Sequence, residues 1–415
     1  MAEIVILGAG FAGLYTGRAL VSALPVPARA RITLIDANNY HLFSPMLHEI
    51  TAGTVEPRHV VWPIRKLIAP WGIRFLQRRV EGVDLAGRRV HTDRGPVPFD
   101  LLVLGLGSTT NFFGIPGIAE RAFAFKTLRD AVRLRNHLIR CFEAAEQESS
   151  LERRRQLLTF ALVGGGCTTV ELGAELHDLT YRTLLRYYPE LAEDRPRVLV
   201  LEATRRIIPC VGERLAERAL AVLARKGVEV RLDSPVADVT GDGVVLASGE
   251  KIPTATVVWA AGVRASPVME AVGAEHDGTG RVVVGETLEV LGHPGVFALG
   301  DCARFVDERL GIALPPTAQV AVQQARTAAA NLVRRLQGRS LHTFRYRHRG
   351  DIVSLGYHDA VGEIAGLQLA GPLVWFLWRT VFLGKLIGLK NRLRVALDWT
   401  IASFAERDTS ALDWS

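Results

Sequence analysis

Apolar and polar positions along the chain fall into a pattern that occurs twice. Residues 3–7 form a short apolar, β-branched run, which predicts a strand buried on both faces. Glycines interrupt it. Residues 14–24 then carry apolar positions at helical spacing, and residues 31–35 read as a second strand that stops at Asp36. The pattern returns at residues 157–163, an apolar strand followed by Gly164, Gly165 and Gly166. A helix is predicted over 170–179, and a strand over 197–201 stops at Glu202. Three further strands run into glycine: DLLVLGLG at 100–107, VVWAAG at 257–262 and GVFALGDCA at 295–303. Residues 143–155 are highly charged and read as a solvated helix end or loop, and 189–196 as a polar connection.

The glycines between strand and helix have physical reasons. Gly8, Gly10 and Gly13 stand in GxGxxG spacing. The first permits a tight turn, the second lets backbone approach a pyrophosphate, and the third lets helix and strand pack closely. The phosphates rest on the helix N-terminus, and Asp36 can accept from ribose hydroxyls. Phe11 and Ala12, inside that turn, and Ala37, after Asp36, complete the candidate set. In the second unit Gly164, Gly166 and Glu202 hold the corresponding places. An acid there repels a 2′-phosphate and so favours NAD(H) over NADP(H). The third glycine is replaced by Thr169, whose side chain is expected to push helix from strand. A degenerate second unit that no longer binds is therefore an open alternative. Gly107, Gly262 and Gly300 close the other strands, and Asp301 can accept from a ribityl hydroxyl. Two nucleotide units in one chain imply electron transfer between a resident flavin dinucleotide and a visiting nicotinamide dinucleotide.

The predicted fold class is thus α/β, with two Rossmann-like dinucleotide-binding domains. The FAD domain is discontinuous, over 1–114 and 280–340, and the NAD(H) domain is inserted over 115–279. A C-terminal amphipathic helical region follows at 341–415. Within it, 372–404 mixes Trp, Phe and Leu with Arg379, Lys385, Lys390, Arg392 and Arg394. The charges come too early for a spanning helix, which needs about 20 largely uncharged residues. A helix lying in the membrane interface fits this pattern. A core helix with extended Arg side chains is the alternative.

Composition adds limits. The length of 415 residues suits two or three domains, and 48% apolar with 22% charged residues is ordinary for a globular protein. A net charge of +7 admits nucleic acid, an anionic membrane or anionic substrates as partners. With the tail considered, an anionic membrane surface is expected and nucleic acid is not. The four cysteines, 141, 167, 210 and 302, include no CxxC, which predicts a reducing compartment and no redox disulfide. The chain enters a strand at once, without a basic segment and apolar core, so no signal peptide is expected.

These motifs resemble a known family. GAGFAGL, LGLGSTTNFFGIPG, LVGGGCTTVELGAEL, VVWAAGVRASP and VFALGDCA are similar to the flavoproteins with two dinucleotide-binding domains. YHLFSPMLHEITAGT (40–54), AQVAVQQA (318–325) and the C-terminal tail narrow the resemblance to the type II NADH dehydrogenases, which are single-subunit and do not pump protons. The resemblance spans essentially the whole chain. It implies non-covalent FAD, NADH as donor, a membrane quinone as acceptor, and a peripheral place on the cytoplasmic face of the cell membrane. A homodimer is one arrangement open to it. Thr169 and Cys167 depart from the family, which has Gly or Ala at the first place and often Pro at the second.

Quinone reduction needs protons as well as electrons. Glu171 lies early in the second helix, where the positive helix end favours its charge, and the family has a Glu there close to nicotinamide and flavin. Its alternative is a simple helix-terminus carboxylate. Gln319 and Gln323, at i and i+4 on one helical face, can orient a carbonyl oxygen, or else bond backbone. Ala318 and Ala321 leave space beside a flavin ring, and Pro45 and Glu49 are candidates to line its pocket. His41, His48 and His59 receive no role. Two other functions remain: a soluble FAD-dependent NAD(P)H reductase serving a ferredoxin-like partner, and an FAD-bound module with weakened NADH turnover.

Overall fold

The computed structural model describes residues 1–24, 30–364 and 366–411. Residues 25–29 of the expected FAD domain and 365 and 412–415 of the expected C-terminal region therefore lie outside the described residues. The chain divides into two compact units. The first comprises 1–42, 61–109 and 263–348; the second comprises 43–60, 110–262 and 349–415.

Each unit is built on a five-stranded parallel sheet. In the first unit the strand order is Val296–Ala298, Leu101–Leu104, Ala2–Leu7, Ala30–Asp36, Arg74–Gln77. In the second it is Phe123–Ala124, Thr256–Trp259, Thr159–Val163, Arg197–Leu201, Val228–Arg231. Both sheets reverse winding direction beside the strand that precedes the glycine turn. A parallel sheet opens a crevice at the carboxyl ends of its strands at such a point. The central strands Leu101–Leu104 and Thr159–Val163 are buried at every position, as their unbroken apolar runs require.

The two fingerprint helices begin earlier than the apolar periodicity suggests, at Phe11 and Cys167 instead of 14 and 170. The first turns, Phe11–Gly13 and Cys167–Thr169, show no repeating apolar position to read. The charged stretch 143–155 holds the end of helix Leu128–Gln147 and most of helix Leu151–Leu157. The C-terminal region adds a three-stranded antiparallel sheet, Asp351–Ser354, Ala360–Ile364 and Leu367–Ala370, before helices Pro372–Lys385 and Leu389–Phe404. Val374, Trp375, Trp378, Val395 and Trp399 of these helices are buried within the second unit.

Candidate active site

In the first unit the glycine turn is set by backbone contact. Gly8 has φ +89°, and a Cβ there would sit 2.3 Å from the Gly105 carbonyl oxygen. A Cβ on Gly13 would sit 1.8 Å from the Gly8 carbonyl oxygen. Over Gly10, by contrast, nothing lies within 4 Å. Gly10 also caps the helix without any side-chain hydrogen bond, whereas Thr127 and Thr317 cap their helices with hydroxyls. No side chain caps the first N–H groups of this helix, and the space over Gly10 is open, which fits a pyrophosphate. Asp36 ends the next strand. Its carboxylate accepts from the Ala9 and Asn38 N–H groups, both at 2.7 Å, and burial holds its pKa above the usual value. Ala37 is exposed and its carbonyl accepts from Gln77 at 3.2 Å.

One residue of this turn was missed from sequence. His41 is buried, its Nδ1 lies 2.8 Å from the Ala9 carbonyl oxygen, and its ring meets Phe11 edge-on at 5.2 Å. A lone histidine in sequence carries no signal for such a contact.

Two of the other strand-end glycines, Gly107 and Gly300, belong to the same unit, and Gly300 lies against the glycine turn. Gly300 has φ +67°, and a Cβ there would lie 3.2 Å from Ala321 Cβ and 3.3 Å from Ala12 Cβ. Its N–H donates to Gln324 Oε1 at 2.7 Å. Gln324 was also missed, because it falls one position off the face that Gln319 and Gln323 define. The Ser108 hydroxyl donates to Asp301 at 2.6 Å, and the Gly107 carbonyl accepts from Ser266 at 3.1 Å. Ala318 and Gln319 open the helix Ala318–Leu336 and are half-buried. The Gln323 amide donates to the Arg347 carbonyl at 2.9 Å and accepts from the Arg347 N–H at 3.1 Å. Both its polar atoms thus bond backbone.

The second unit repeats the turn. Gly164 has φ +112°, and a Cβ there would sit 2.7 Å from Ala261 Cα. Gly166 caps its helix without a side chain and has nothing within 4 Å. Glu202 lies over the turn: a Cβ on Gly165 would be 2.7 Å from its Oε2, while its Oε1 accepts from Thr204 N–H at 2.8 Å. Gly262 packs under Phe113, whose ring a Cβ would meet at 2.9 Å. Thr169 is buried, and its hydroxyl has no hydrogen-bond partner among the described residues. The close approach of helix to strand is provided one turn later, where a Cβ on Gly173 would lie 3.2 Å from Leu162 and 3.4 Å from Val200.

All four cysteines are free thiols, yet two that share no CxxC spacing lie side by side. Cys167, first in the helix, and Cys210, in the loop before helix Glu213–Lys226, place their sulfurs 2.8 Å apart. They are 43 positions apart in sequence, so no local spacing could announce them. Cys141 and Cys302 are buried thiols, each pushed up to about 11 by burial.

Behind the second turn lies a buried acidic cluster. Glu171 is 8% exposed and its Oε1 accepts from the Ser354 N–H at 3.1 Å. Burial raises its pKa to about 8. His48 Nδ1 is 3.7 Å from Glu171 Oε2, and burial lowers that imidazole to about 4. Both groups are therefore mostly neutral at pH 7. Glu49 accepts from Thr54 and, at 3.1 Å, from Trp399 Nε1. Glu175 pairs with Arg407 at 3.0 Å. Pro45 is half-buried in the short turn Ser44–Met46 of the same unit.

These values predict a pH dependence of stability. Glu171 binds a proton more tightly folded than unfolded between pH 4.5 and about 8, so its contribution falls as pH rises through that window. His48 binds one less tightly folded between about 4 and 6.5, so its contribution rises there. The two oppose each other below pH 6.5. Above it the contribution of Glu171 continues to fall, by about 2 kcal/mol by pH 8. Denaturant melts at pH 6.5 and 8 should show this drop in the native protein and a smaller one in Glu171→Gln. Equal drops would place the shifted group elsewhere.

Two glycine turns with uncapped helices, each beside an acid ending the next strand, define a flavoprotein that also takes a pyridine nucleotide. Residues 2–325 match the family model of the pyridine nucleotide-disulphide oxidoreductases, and 348–408 match the NDH2 C-terminal domain. The chain is 34% identical over 382 residues to a type II NADH:quinone oxidoreductase of Staphylococcus aureus, covering 91% of this chain and 94% of that protein. It is 32% identical over 423 residues to the type II enzyme Ndh of Mycobacterium tuberculosis, covering 98% and 89%. A solved structure of NDH2 from Plasmodium falciparum in complex with NADH shares the fold, with TM-score 0.88, 19% identity and 99% coverage of both chains. The chain belongs to the type II NADH:quinone oxidoreductase family.

Proposed function

We propose that the protein is a membrane-associated flavoenzyme that passes electrons from NADH through FAD to a membrane quinone without pumping protons. The observation that carries this is the pair of glycine turns, each open above its second or third glycine and each facing an uncapped helix end. FAD, when bound, supplies the acceptance of a hydride and its onward release as electrons. The chain binds and orients. Gly8, Gly10, Gly13 and Asp36 would hold the flavin dinucleotide, with Asp301 positioned by Ser108 for the ribityl chain. Gly164, Gly166 and Glu202 would hold NADH. The open space at Gly166 and the helix contact at Gly173 both speak against a second unit spoiled by Thr169.

Glu202 sets nucleotide choice. NADH should reduce the flavin much faster than NADPH, and Glu202→Ala should narrow that gap by roughly tenfold, the effect of about 1.4 kcal/mol of charge repulsion. Stopped-flow flavin bleaching with each nucleotide reads this. A gap unchanged in the variant would remove Glu202 from the nucleotide site.

Glu171, neutral when buried, is the proposed store of a proton for the quinone. Gln319 is the amide we assign to a quinone oxygen. Gln323 holds the Arg347 backbone and so positions the segment after this helix. The membrane contact is assigned to the C-terminal helices. Leu389, Leu393, Leu397, Ile401 and Phe404 are 51–90% exposed at helical spacing, with Leu373 and Phe376 exposed on the helix before. Lys385 and Lys390 are exposed beside them. Arg379 is not: its guanidinium stacks at 3.8 Å on Trp375 and 4.8 Å on Trp399. Arg392 donates to the carbonyls of Leu386 and Gly384. Among the described residues no helix is long and apolar enough to cross a membrane.

The decisive experiment is anaerobic. NADH should bleach the flavin absorbance, and a water-soluble quinone should restore it. Bleaching without reoxidation by quinone, but with reoxidation by a ferredoxin, would favour the reductase alternative.

A further inference from the structure

We propose that Cys167 and Cys210 form a reversible disulfide that restrains the mouth of the second dinucleotide turn. The pair is fixed by the fold. Cys167 is the first residue of the helix that Gly166 caps, and Cys210 sits in the loop 203–212. That loop is already tied to the glycine turn. The Ile208 N–H donates to the Gly165 carbonyl at 2.7 Å, the Arg206 guanidinium bonds the Val211 carbonyl, and Ile207 and Ile208 are fully buried. The sulfurs, at 2.8 Å, need to close by only about 0.8 Å to reach bonding distance.

The two thiols are unequal. Cys210 is exposed and Cys167 is half-buried. The hydrogen bond from Cys167 lowers the Cys210 pKa, with Arg206 adding to the effect, and the same bond raises that of Cys167. Cys210 is thus the sulfur that an oxidant meets first, as the more available thiolate. With hydrogen peroxide as oxidant, the Cys210 thiolate attacks one peroxide oxygen and breaks the O–O bond. This gives a sulfenic acid at Cys210 and, with one proton, water. The Cys167 sulfur then attacks the Cys210 sulfur, the S–O bond breaks, and the thiol proton leaves with hydroxide as a second water. Two thiols are oxidised, one peroxide is reduced, and a dithiol reductant reverses the change.

The consequence follows from place. The space over Gly166 is where the helix N–H groups meet a phosphate. A bond between that helix's first residue and the flanking loop fixes Cys210 at the edge of that space. The effect on NADH rests on the function proposed above; the bond itself does not.

The test uses the full-length FAD-loaded protein, treated with about one equivalent of hydrogen peroxide and then alkylated with iodoacetamide. Intact mass should fall by about 2 Da before alkylation, for two hydrogens lost. Peptide mapping should join Cys167 to Cys210. KM for NADH should rise at least about fivefold, and dithiothreitol should restore it. Cys210→Ser should keep the basal rate and show neither the mass change nor the KM change. Cys167→Ser should also lose the mass change, with Cys210 stopping at a sulfenic acid. Alkylation of both thiols after peroxide overturns the proposal, as does a disulfide between other cysteines. A joined pair with unchanged KM overturns the restraint on the nucleotide. Absence of NADH turnover from the start, with the pair still joined, overturns the proposed function and leaves the bond standing.

Discussion

Gly10→Val is expected to yield a folded protein without its yellow cofactor. The structure separates the three glycines of the first turn by what each contacts. Gly8 and Gly13 face backbone carbonyl oxygens at 2.3 and 1.8 Å, so any side chain there breaks the turn itself. Gly10 faces open space, has φ −72° and requires no special backbone conformation. A valine there costs the apo fold little. It does fill the volume through which a pyrophosphate reaches the helix N–H groups. Losing two hydrogen bonds to charged oxygens, at about 2 kcal/mol each, weakens FAD binding by roughly a thousandfold. The measurement is the flavin absorbance of the purified variant beside its far-UV circular dichroism and melting temperature. A yellow Gly10→Val protein would show that no phosphate lies over this turn. A colourless but unfolded one would leave the assignment to Gly10→Ala, which should retain FAD with a smaller loss of affinity.

Replacing Leu393, Leu397 and Ile401 together with Glu should release the protein from membranes and leave NADH-dependent flavin bleaching near the native rate. Removal of the tail would not test this cleanly. Val374, Trp375, Trp378, Val395 and Trp399 are buried, and Arg407 pairs with Glu175, so truncation opens the second unit. The three exposed positions are 51–62% exposed and make no part of that core. Surface substitutions of this kind usually change stability by less than about 0.5 kcal/mol. Their insertion into the interface contributes about 1.5 kcal/mol each, so the triple variant should lose at least roughly a thousandfold in vesicle partition. Flotation with vesicles containing anionic lipid reads this. Native binding should also weaken with salt, because Lys385 and Lys390 add about 1 kcal/mol each. Undiminished flotation of the triple variant would place the membrane contact elsewhere on the chain.

The fold was legible for a physical reason. A strand buried on both faces must be apolar throughout, and a strand that turns into a helix over a phosphate must carry glycine. Residues 3–13 and 157–166 could therefore be read without coordinates, although the second strand starts at Thr159, after helix Leu151–Leu157, and with them came Asp36 and Glu202 after the following strands. The helix starts were harder to place, because the first turns, Phe11–Gly13 and Cys167–Thr169, carry no apolar periodicity.

By itself the sequence determined two α/β units, the two glycine turns, the acids beside them and a tail rich in Trp and Arg. Each of these depends on neighbours within a few residues, or on one repeating period. The tertiary structure decided what long-range contact controls. It brought Cys210 to Cys167 across 43 positions and His41 to the carbonyl of Ala9 across 32. It turned Gln323 to the backbone of Arg347 and gave Gln324 to Gly300. It folded Arg379 between two tryptophans and left the leucine stripe outward. It also buried Glu171 beside His48 and Ser354, partners 123 and 183 residues away in sequence, and so set its pKa near 8. Burial and pairing of this kind arise from packing between distant segments, and no local pattern encodes them.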